Sequence, residues 1–195
     1  MDKLIECAKA FESLLDTQYR IIIGRKGKTV ELLIEFKEMD FHHIMGLGKL
    51  KDLRIARQNR EEVFADIIDG AITYDTISKS RYIDHISNRL YPLSQIEHIF
   101  DGNRLVFRYS VKQNVFSLIE ADFLLSTPLS GKDIYIFIAK KEDTNLYYCR
   151  SFFPKENKDY TIGQAAYTML FKEKITVSTG ERQVQYDRLS PLDTQ

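Results

Sequence analysis

Apolar residues recur along this chain at two different periods, and the change between them falls near Gly102. At the start, Leu4, Ile5, Ala8, Phe11, Leu14 and Leu15 follow one another at spacings of three and four, the stripe of an amphipathic helix. Tyr19 to Ile23 then reads as a strand, Gly24 to Lys28 as a turn, and Val30, Leu32, Ile34 and Phe36 alternate with Glu31, Glu35 and Lys37 as the second arm of a hairpin. Asp40 is placed to cap a short helix with Phe41, Ile44 and Met45 on its apolar side, stopped or bent by Gly46 and Gly48. Val63, Phe64, Ile67 and Ile68 form a further stripe ending at Gly70, and Tyr82, Ile83, Ile86 and Leu90 form the next, ending before Pro92. Ser94 with Glu97 has the form of a capping box for a third helix, which carries Ile96, Ile99 and Phe100 and is closed by Gly102.

Beyond Gly102 the period becomes two. Leu105, Phe107, Tyr109 and Val111 alternate with Arg108, Ser110 and Lys112, and Ile119, Ala121, Phe123 and Leu125 alternate with Glu120 and Asp122. Asp133 to Lys140, a charged turn at Lys141 to Asn145, and Leu146 to Phe153 complete four consecutive strands, which predict an antiparallel meander. A helix around Ile162 to Leu170 and a closing hairpin about Ser178 to Glu181 are expected last. Helices grouped early and strands grouped late give an α+β fold, with a helical N-terminal part packed on a mostly antiparallel C-terminal sheet. We read residues 1–195 as a single domain, mainly helical with an early hairpin over 1–102 and mainly antiparallel sheet over 103–195.

Composition narrows the class. The 195 residues are 44% hydrophobic, with 9 Gly and 4 Pro, which suits a chain that buries a core and excludes disordered or collagenous classes. The longest unbroken apolar runs are a few residues, against about 20 for a membrane span, so no transmembrane helix and no membrane partner are expected. The first residues have no basic segment leading into an apolar run, so the expected location is the cytoplasm. Cys7 and Cys149 are read as reduced and structural. Lys+Arg and Asp+Glu balance at 28 each, yet the bases are unevenly placed. Arg20, Arg25, Lys26 and Lys28 face no acid between them, and Lys49, Lys51, Arg54, Arg57 and Arg60 are opposed only by Asp52. Either these are ordinary solvated faces, or Arg25, Lys26, Lys28, Lys51, Arg54 and Arg57 form a phosphate-attracting surface on the side of His43.

Gly27-Lys28-Thr29 after Ile21 to Ile23 resembles a phosphate loop only superficially. Ile22 stands where the leading glycine is needed, and a strand pattern follows where a helix should start. His42 and His43 are adjacent, so on a helix they point about 100° apart and cannot share a metal; no metal and no cofactor are expected. An imidazole changes protonation near neutral pH and can instead give a proton to a leaving oxygen; otherwise one histidine packs and the other is solvated. Glu120 and Arg150 sit on strand faces opposite the apolar stripes, with Ser151 adjacent. A carboxylate, a histidine and an arginine on one sheet face would suit metal-free RNA cleavage, whereas ordinary cross-strand salt bridging would leave the same face inert.

The segment from Asp40 to Asp52, with His42-His43-Ile44-Met45-Gly46-Leu47-Gly48-Lys49-Leu50 at its centre, is similar to a motif of the fourth phage-type branch of the barnase, EndoU, colicin and RelE-like nucleases. Glu120 to Leu125, Ile134 to Lys141, Ser151 to Pro154, and Tyr160 with Gln164 match in the same order, so the likeness runs from about Tyr19 to Lys174. The resemblance implies helices packed on an antiparallel sheet and a ribonuclease of phage, mobile-element or toxin context. It carries His43, Gly46, Lys49, Leu50, Ser151 and Phe152 onto this chain; the motif has one histidine where this chain has two. The expected function is therefore a metal-independent endoribonuclease acting on RNA, with a protein inhibitor or antitoxin as a further expected partner. In that reading His43 is the acid, Glu120 the base, and Lys49 and Arg150 stabilise phosphate, with Ser151 beside them. The alternative is a catalytically inactive nucleic-acid-binding or protein-interaction module on the same fold.

Overall fold

The computed structural model describes residues 2–113 and 117–190. Helix α1 (Lys3–Glu12) buries Leu4, Ala8 and Phe11 of the predicted stripe together with Cys7, while Ile5 is half-buried and Leu14 and Leu15 lie past its end. The Asp2 carboxylate accepts from the backbone of Leu4 and Ile5 at its start, and also from the Tyr74 N–H, fixing a later turn to this cap. Strands β1 (Thr17–Arg25) and β2 (Lys28–Glu35) form the expected hairpin. Its two-residue turn has positive φ at both Lys26 and Gly27, the geometry that matches the twist of the flanking strands.

Helix α2 (Glu38–Met45) follows, capped by Lys37 and not by Asp40. Asp40 lies one turn inside, where its carboxylate accepts the Lys37 N–H at 2.9 Å. After α3 (Arg60–Ile68) and α4 (Tyr74–Ser78), the stripe of Tyr82, Ile83, Ile86 and Leu90 is wound as two 3-10 turns, Ile83–His85 and Ser87–Arg89. Pro92 does not end a helix; it sits in the first turn of α5 (Leu90–Ser94), where its missing N–H has no intrahelical partner to lose. Helix α6 (Ile96–Gly102) is capped by Gln95, so the Ser94 and Glu97 box does not form. Ser94 Oγ donates back to the Tyr91 carbonyl, and Glu97 instead pairs with Lys174.

The remaining strands are β3 (Leu105–Arg108), β4 (Phe123–Leu129), β5 (Lys132–Lys140), β6 (Leu146–Pro154), β7 (Ala165–Thr176) and β8 (Arg182–Asp187). β3 to β6 make the antiparallel meander. The sheet as a whole departs from expectation, because it closes into a mixed seven-stranded barrel in the order β1-β2-β6-β5-β4-β3-β7 with β7 returning to β1, and β8 attached to β7. The parallel step is short, joining β2 to β6 at Leu33 with Leu146 and Ile34 with Tyr147. The helix expected over Ile162 to Leu170 is replaced by β7. Its Ala, Met and Leu residues favour helix intrinsically, but pairing with β1 on one side and with β3 and β8 on the other overrides that preference.

β4 and β5 are covered on both faces, which explains the continuous apolar run from Ile134 to Ala139. Ile134, Ile136 and Ile138 join the main core with the helices. On the opposite face Leu124, Tyr135 and Phe137 form a second cluster with Tyr109, against which Phe153 and Tyr160 pack. Across the barrel seam, the fully buried Lys172 of β7 donates from Nζ to the carbonyls of Phe100, Asp101 and Asn103 at the end of α6. Its amine thus holds the last helix onto the sheet.

Burial lowers the Lys172 pKa from 10.5 to about 7, so the unfolded chain binds the additional proton between those values. Stability should therefore rise with pH from about 7 to 10.5, with the full penalty of the charged amine present below that window. Denaturant unfolding of the unmodified protein and Lys172→Met across this range should show the first gaining on the second by a few kcal/mol, on the order of the pKa shift; parallel pH curves would contradict the assignment.

Candidate active site

α2 brings the two histidines to different environments. His42 is buried, and its Nε2–H donates to the Ile55 carbonyl at 3.0 Å, so this imidazole ties α2 to the turn before α3. His43 is half-buried. Gly46 then ends α2 in the left-handed region, with φ of 83°, donating its N–H to the carbonyls of His42 and His43. A 3-10 turn, Leu47–Lys49, follows and carries Lys49 back over the helix end.

A cavity of about 370 Å³ opens here, bordered by His43, Gly48, Lys49, Arg60, Arg89 and Ser151, with His42 in its wall. A second, of about 400 Å³, adjoins it and shares Lys49, Arg89 and Ser151. Arg89 is the hinge between the two. It is 4% exposed, its Nη1 donates to the Ile44 carbonyl at 2.8 Å, and its Nε is buried with no hydrogen-bond partner among the described residues. Among the described residues neither Arg89 nor Lys49 forms a salt bridge with a carboxylate. A buried guanidinium is costly; Glu156, which borders the second cavity, offsets its charge at a distance without bonding to it, so an anion entering either cavity would add a direct partner.

The charge states follow. Burial, and then the repulsion of Arg150, Arg60, His42 and Arg89, pushes the His43 pKa down to about 4. At neutral pH the ring is uncharged and can accept a proton, but has no imidazolium proton to give. Lys49 is exposed as a residue, yet its ammonium is partly desolvated beside Arg89 and its pKa falls to about 8. Burial lowers Arg89 to about 10, leaving it cationic at neutral pH.

The structure thus brings together His43, Lys49 and Ser151. Arg150 is the unpaired residue of a β-bulge in β6, where Phe137 faces Ser151 and Ile138 faces Cys149. It acts electrostatically on His43, while its guanidinium is 4.0 Å from Glu120. Glu120 lies outside both cavities, in the connection before β4, with its side chain 86% exposed. With Arg150 it borders a separate depression beside Asp122 and Tyr148. Lys51, Arg54 and Arg57 are exposed in the chain between Lys49 and Arg60. Arg25, Lys26 and Lys28 are exposed at the β1–β2 turn and border neither cavity, about 25 Å along β2 from the start of α2 at ~3.3 Å per residue. Cys7 and Cys149 are free and buried; the Cys7 thiol donates to the Leu90 carbonyl, and burial pushes its pKa up to about 12.

Arg89 escaped the sequence reading because an arginine is ordinarily solvated. Its signal was positional, since it stands three residues after Ile86 and four before Leu93, within an apolar stripe. Of the later positions that match the family pattern, Tyr160 borders the second cavity, while Gln164 clamps the backbone of Ser110 through both amide atoms. Among the described residues, no three His, Cys, Asp or Glu side chains converge so as to hold a metal ion, and no helix is long and apolar enough to cross a membrane.

The sequence model of the phage-Barnase-EndoU-ColicinE5/D-RelE like nuclease 4 family matches residues 3–189. No curated protein and no solved structure matches the chain.

Gly46 controls the position of Arg89. A Cβ at Gly46 would lie 3.1 Å from Arg89 Nη1 and 3.0 Å from Ile86 Cγ2. Gly27 shares the left-handed backbone but has open space around it. Gly46→Ala should lose the roughly 1–2 kcal/mol expected for that backbone and also weaken inorganic phosphate binding, whereas Gly27→Ala should show the backbone loss alone. Thermal unfolding and phosphate titration of the two variants check this, and equal phosphate affinity in both would remove the contact from the argument.

Proposed function

This chain belongs to the phage-Barnase-EndoU-ColicinE5/D-RelE like nuclease 4 family, and on that premise we propose that it is an endoribonuclease that cleaves RNA without a metal, using side-chain cations. The observation that carries the reading is Arg89, a guanidinium buried between two cavities with no salt-bridged carboxylate among the described residues. A scissile phosphodiester placed there receives the Arg89 charge, with Lys49 beside it and Arg60 at the mouth. Lys51, Arg54 and Arg57 supply a cationic approach for the flanking phosphates.

In this proposal the depressed pKa values favour proton transfers that differ from those expected of the motif, with His43 as base in place of acid. Neutral His43 takes the 2'-hydroxyl proton as that oxygen attacks phosphorus. The Lys49 ammonium gives a proton to the departing 5'-oxygen, leaving a 2',3'-cyclic phosphate and a free 5'-hydroxyl. Arg89 stabilises the charge that accumulates on the phosphorane oxygens between those events. Glu120, held by Arg150 outside the cavity, is a positioning group in this scheme: it restrains the bulged guanidinium that depresses the His43 pKa.

With a base near 4 and an acid near 8, kcat/KM should follow a bell between those values in the free enzyme. Arg89→Ala should lower cleavage of a synthetic RNA by about 10²–10³-fold, and His43→Ala by about 10²–10⁴-fold, with the fold retained by circular dichroism. Cleavage should persist in chelator, leave cyclic phosphate ends, spare the matching DNA and weaken with salt. Metal-dependent cleavage or equal cutting of DNA would refute the mechanism. RNA bound through Arg89 but left intact would favour the inactive binding module.

A further inference from the structure

We propose that the carboxylates of the second cavity, Glu156 above all, set the substrate class of the site: they admit a singly charged phosphodiester and disfavour a doubly charged phosphomonoester. The protein would then take an internal linkage of a strand and pass over its phosphorylated ends; this rests on the phosphate position assigned to Arg89. The two cavities differ in charge. The first is bordered by His43, Lys49, Arg60 and Arg89, with no Asp or Glu among the described residues of its wall. The second shares Lys49 and Arg89 but adds Asp84 and Glu156. A phosphate at Arg89 therefore meets cations on one side and carboxylates on the other.

Glu156 is held where its charge is felt but closes no ion pair. The chain before it leaves β6 through the buried Pro154, and the Lys155 N–H donates to the Asp133 carbonyl at 2.7 Å. Beyond it, Asp159 accepts from the Tyr135 and Thr161 hydroxyls at 3.0 and 2.6 Å, so the connection from β6 to β7 is pinned on both sides of Glu156. The carboxylate itself accepts from Asn88 Nδ2 at 2.5 Å. Asn88 immediately precedes Arg89 in the 3-10 turn Ser87–Arg89, so one turn of chain fixes both the cation and the acid that faces it. Among the described residues no salt bridge joins Glu156 to Arg89 or Lys49, yet its charge favours the protonated form of each. The lysines near it in sequence are engaged elsewhere, Lys155 with Asp159 at 2.6 Å and Asp133 at 3.9 Å, and Lys158 over the Tyr160 ring at 4.7 Å from the centroid. His85 and Tyr160 are the remaining titratable groups of this wall.

Charge balance then selects the ligand. With the imidazoles neutral, Lys49, Arg60 and Arg89 against Asp84 and Glu156 leave the joined cavities with one net positive charge. A phosphodiester carries one negative charge and neutralises it. A phosphomonoester loses its second proton near pH 6 and carries almost two charges at pH 7, so it leaves one uncompensated in a partly dry place. The 2',3'-cyclic phosphate formed by the proposed cleavage is still a singly charged diester, whereas a 5'- or 3'-phosphate end is not. Removal of one carboxylate raises the net charge of the cavities to two, which suits the monoester instead.

Titration of the full chain with dimethyl phosphate and with methyl phosphate, at pH 5 and at pH 7, tests the assignment, followed by NMR at the Gly48 and Lys49 amides. Between those values His43, near 4, stays largely neutral and Lys49, near 8, stays largely charged. Dimethyl phosphate, singly charged throughout, corrects for titration of the protein, that of His85 included. The unmodified protein should bind dimethyl phosphate at pH 7 at least as tightly as methyl phosphate. In Glu156→Gln the pH 7 ratio should move toward methyl phosphate by about fivefold to twentyfold, the effect of one unit charge across a cavity about 9 Å wide at an effective dielectric of about 20–40. At pH 5, where both ligands carry one charge, the ratio should be the same in the two proteins. Glu156→Asp keeps the charge and should keep the unmodified ratio, a rescue that a merely structural role would not give. Should Glu156→Gln fail to fold, Asp84→Asn removes one charge from the same wall and makes the same comparison. Methyl phosphate preferred at pH 7 by the unmodified protein, or a ratio unmoved in Glu156→Gln, would overturn the assignment and leave the nuclease reading standing. Binding of both ligands indifferent to Arg89→Ala would remove the phosphate position and both readings with it.

Discussion

A guanidinium buried with no salt-bridged carboxylate among the described residues, and only Glu156 acting on it at a distance, is the constraint around which this site is arranged. Arg89 is held by one carbonyl, that of Ile44, and by the absence of a side chain at Gly46. That carbonyl belongs to the last turn of α2, so the helix that presents His43 also anchors the cation that repels its proton. Burial is the first reason that the neighbouring ammonium and imidazole titrate low; Arg89 adds to it for Lys49, while for His43 Arg150 and Arg60 come ahead of Arg89. In the proposed reaction the resulting pair serves as one neutral acceptor and one proton donor.

The barrel supplies the other half of the frame. β2 and β6 run together for two residue pairs only, and α2 packs against β6 where they part. The bulge at Arg150 lies in this stretch, one residue from Ser151, so a local irregularity of β6 delivers both a cavity wall and a distant positive charge. Two residues on and on the same face as Ser151, Phe153 borders the second cavity and packs on the second aromatic cluster, while Phe152 between them points into the main core. One strand therefore serves both cores and the wall of the cavities at successive residues.

Elements whose face is fixed by periodicity were legible from the chain alone. The α1 stripe, the β1–β2 hairpin with its turn, and the doubly buried run from Ile134 to Ala139 all occur as the pattern dictates. Reading failed where a long-range partner decided the outcome. β7 is extended because β1, β3 and β8 claim its edges, and no local feature of Ala165 to Leu170 encodes those partners. Ile119 and Ala121 alternate like a strand, yet the strand begins at Phe123; their apolar character serves to cover the second cluster. In the site, the family motif pointed to His43 and Lys49, while the burial that sets their protonation, and the presence of Arg89 between them, arise from packing among segments more than forty residues apart.

Closure of the barrel through β1 and β7 has a consequence for when the protein becomes whole. Thr17 pairs with Thr176, so the first strand made waits for nearly the last one before the ring is complete. Such non-local pairing is slow to form, and during synthesis at about 5–20 residues per second the early helices exist for seconds without it. α2 can settle on β6 once that strand is made, but the side of β1 from Thr17 to Gly24 that faces β7, and the carbonyls at the end of α6 that receive Lys172, stay without their partners until β7 arrives. The order of the strands thus leaves the ring gapped for most of synthesis and makes its closure one of the last contacts the chain can form.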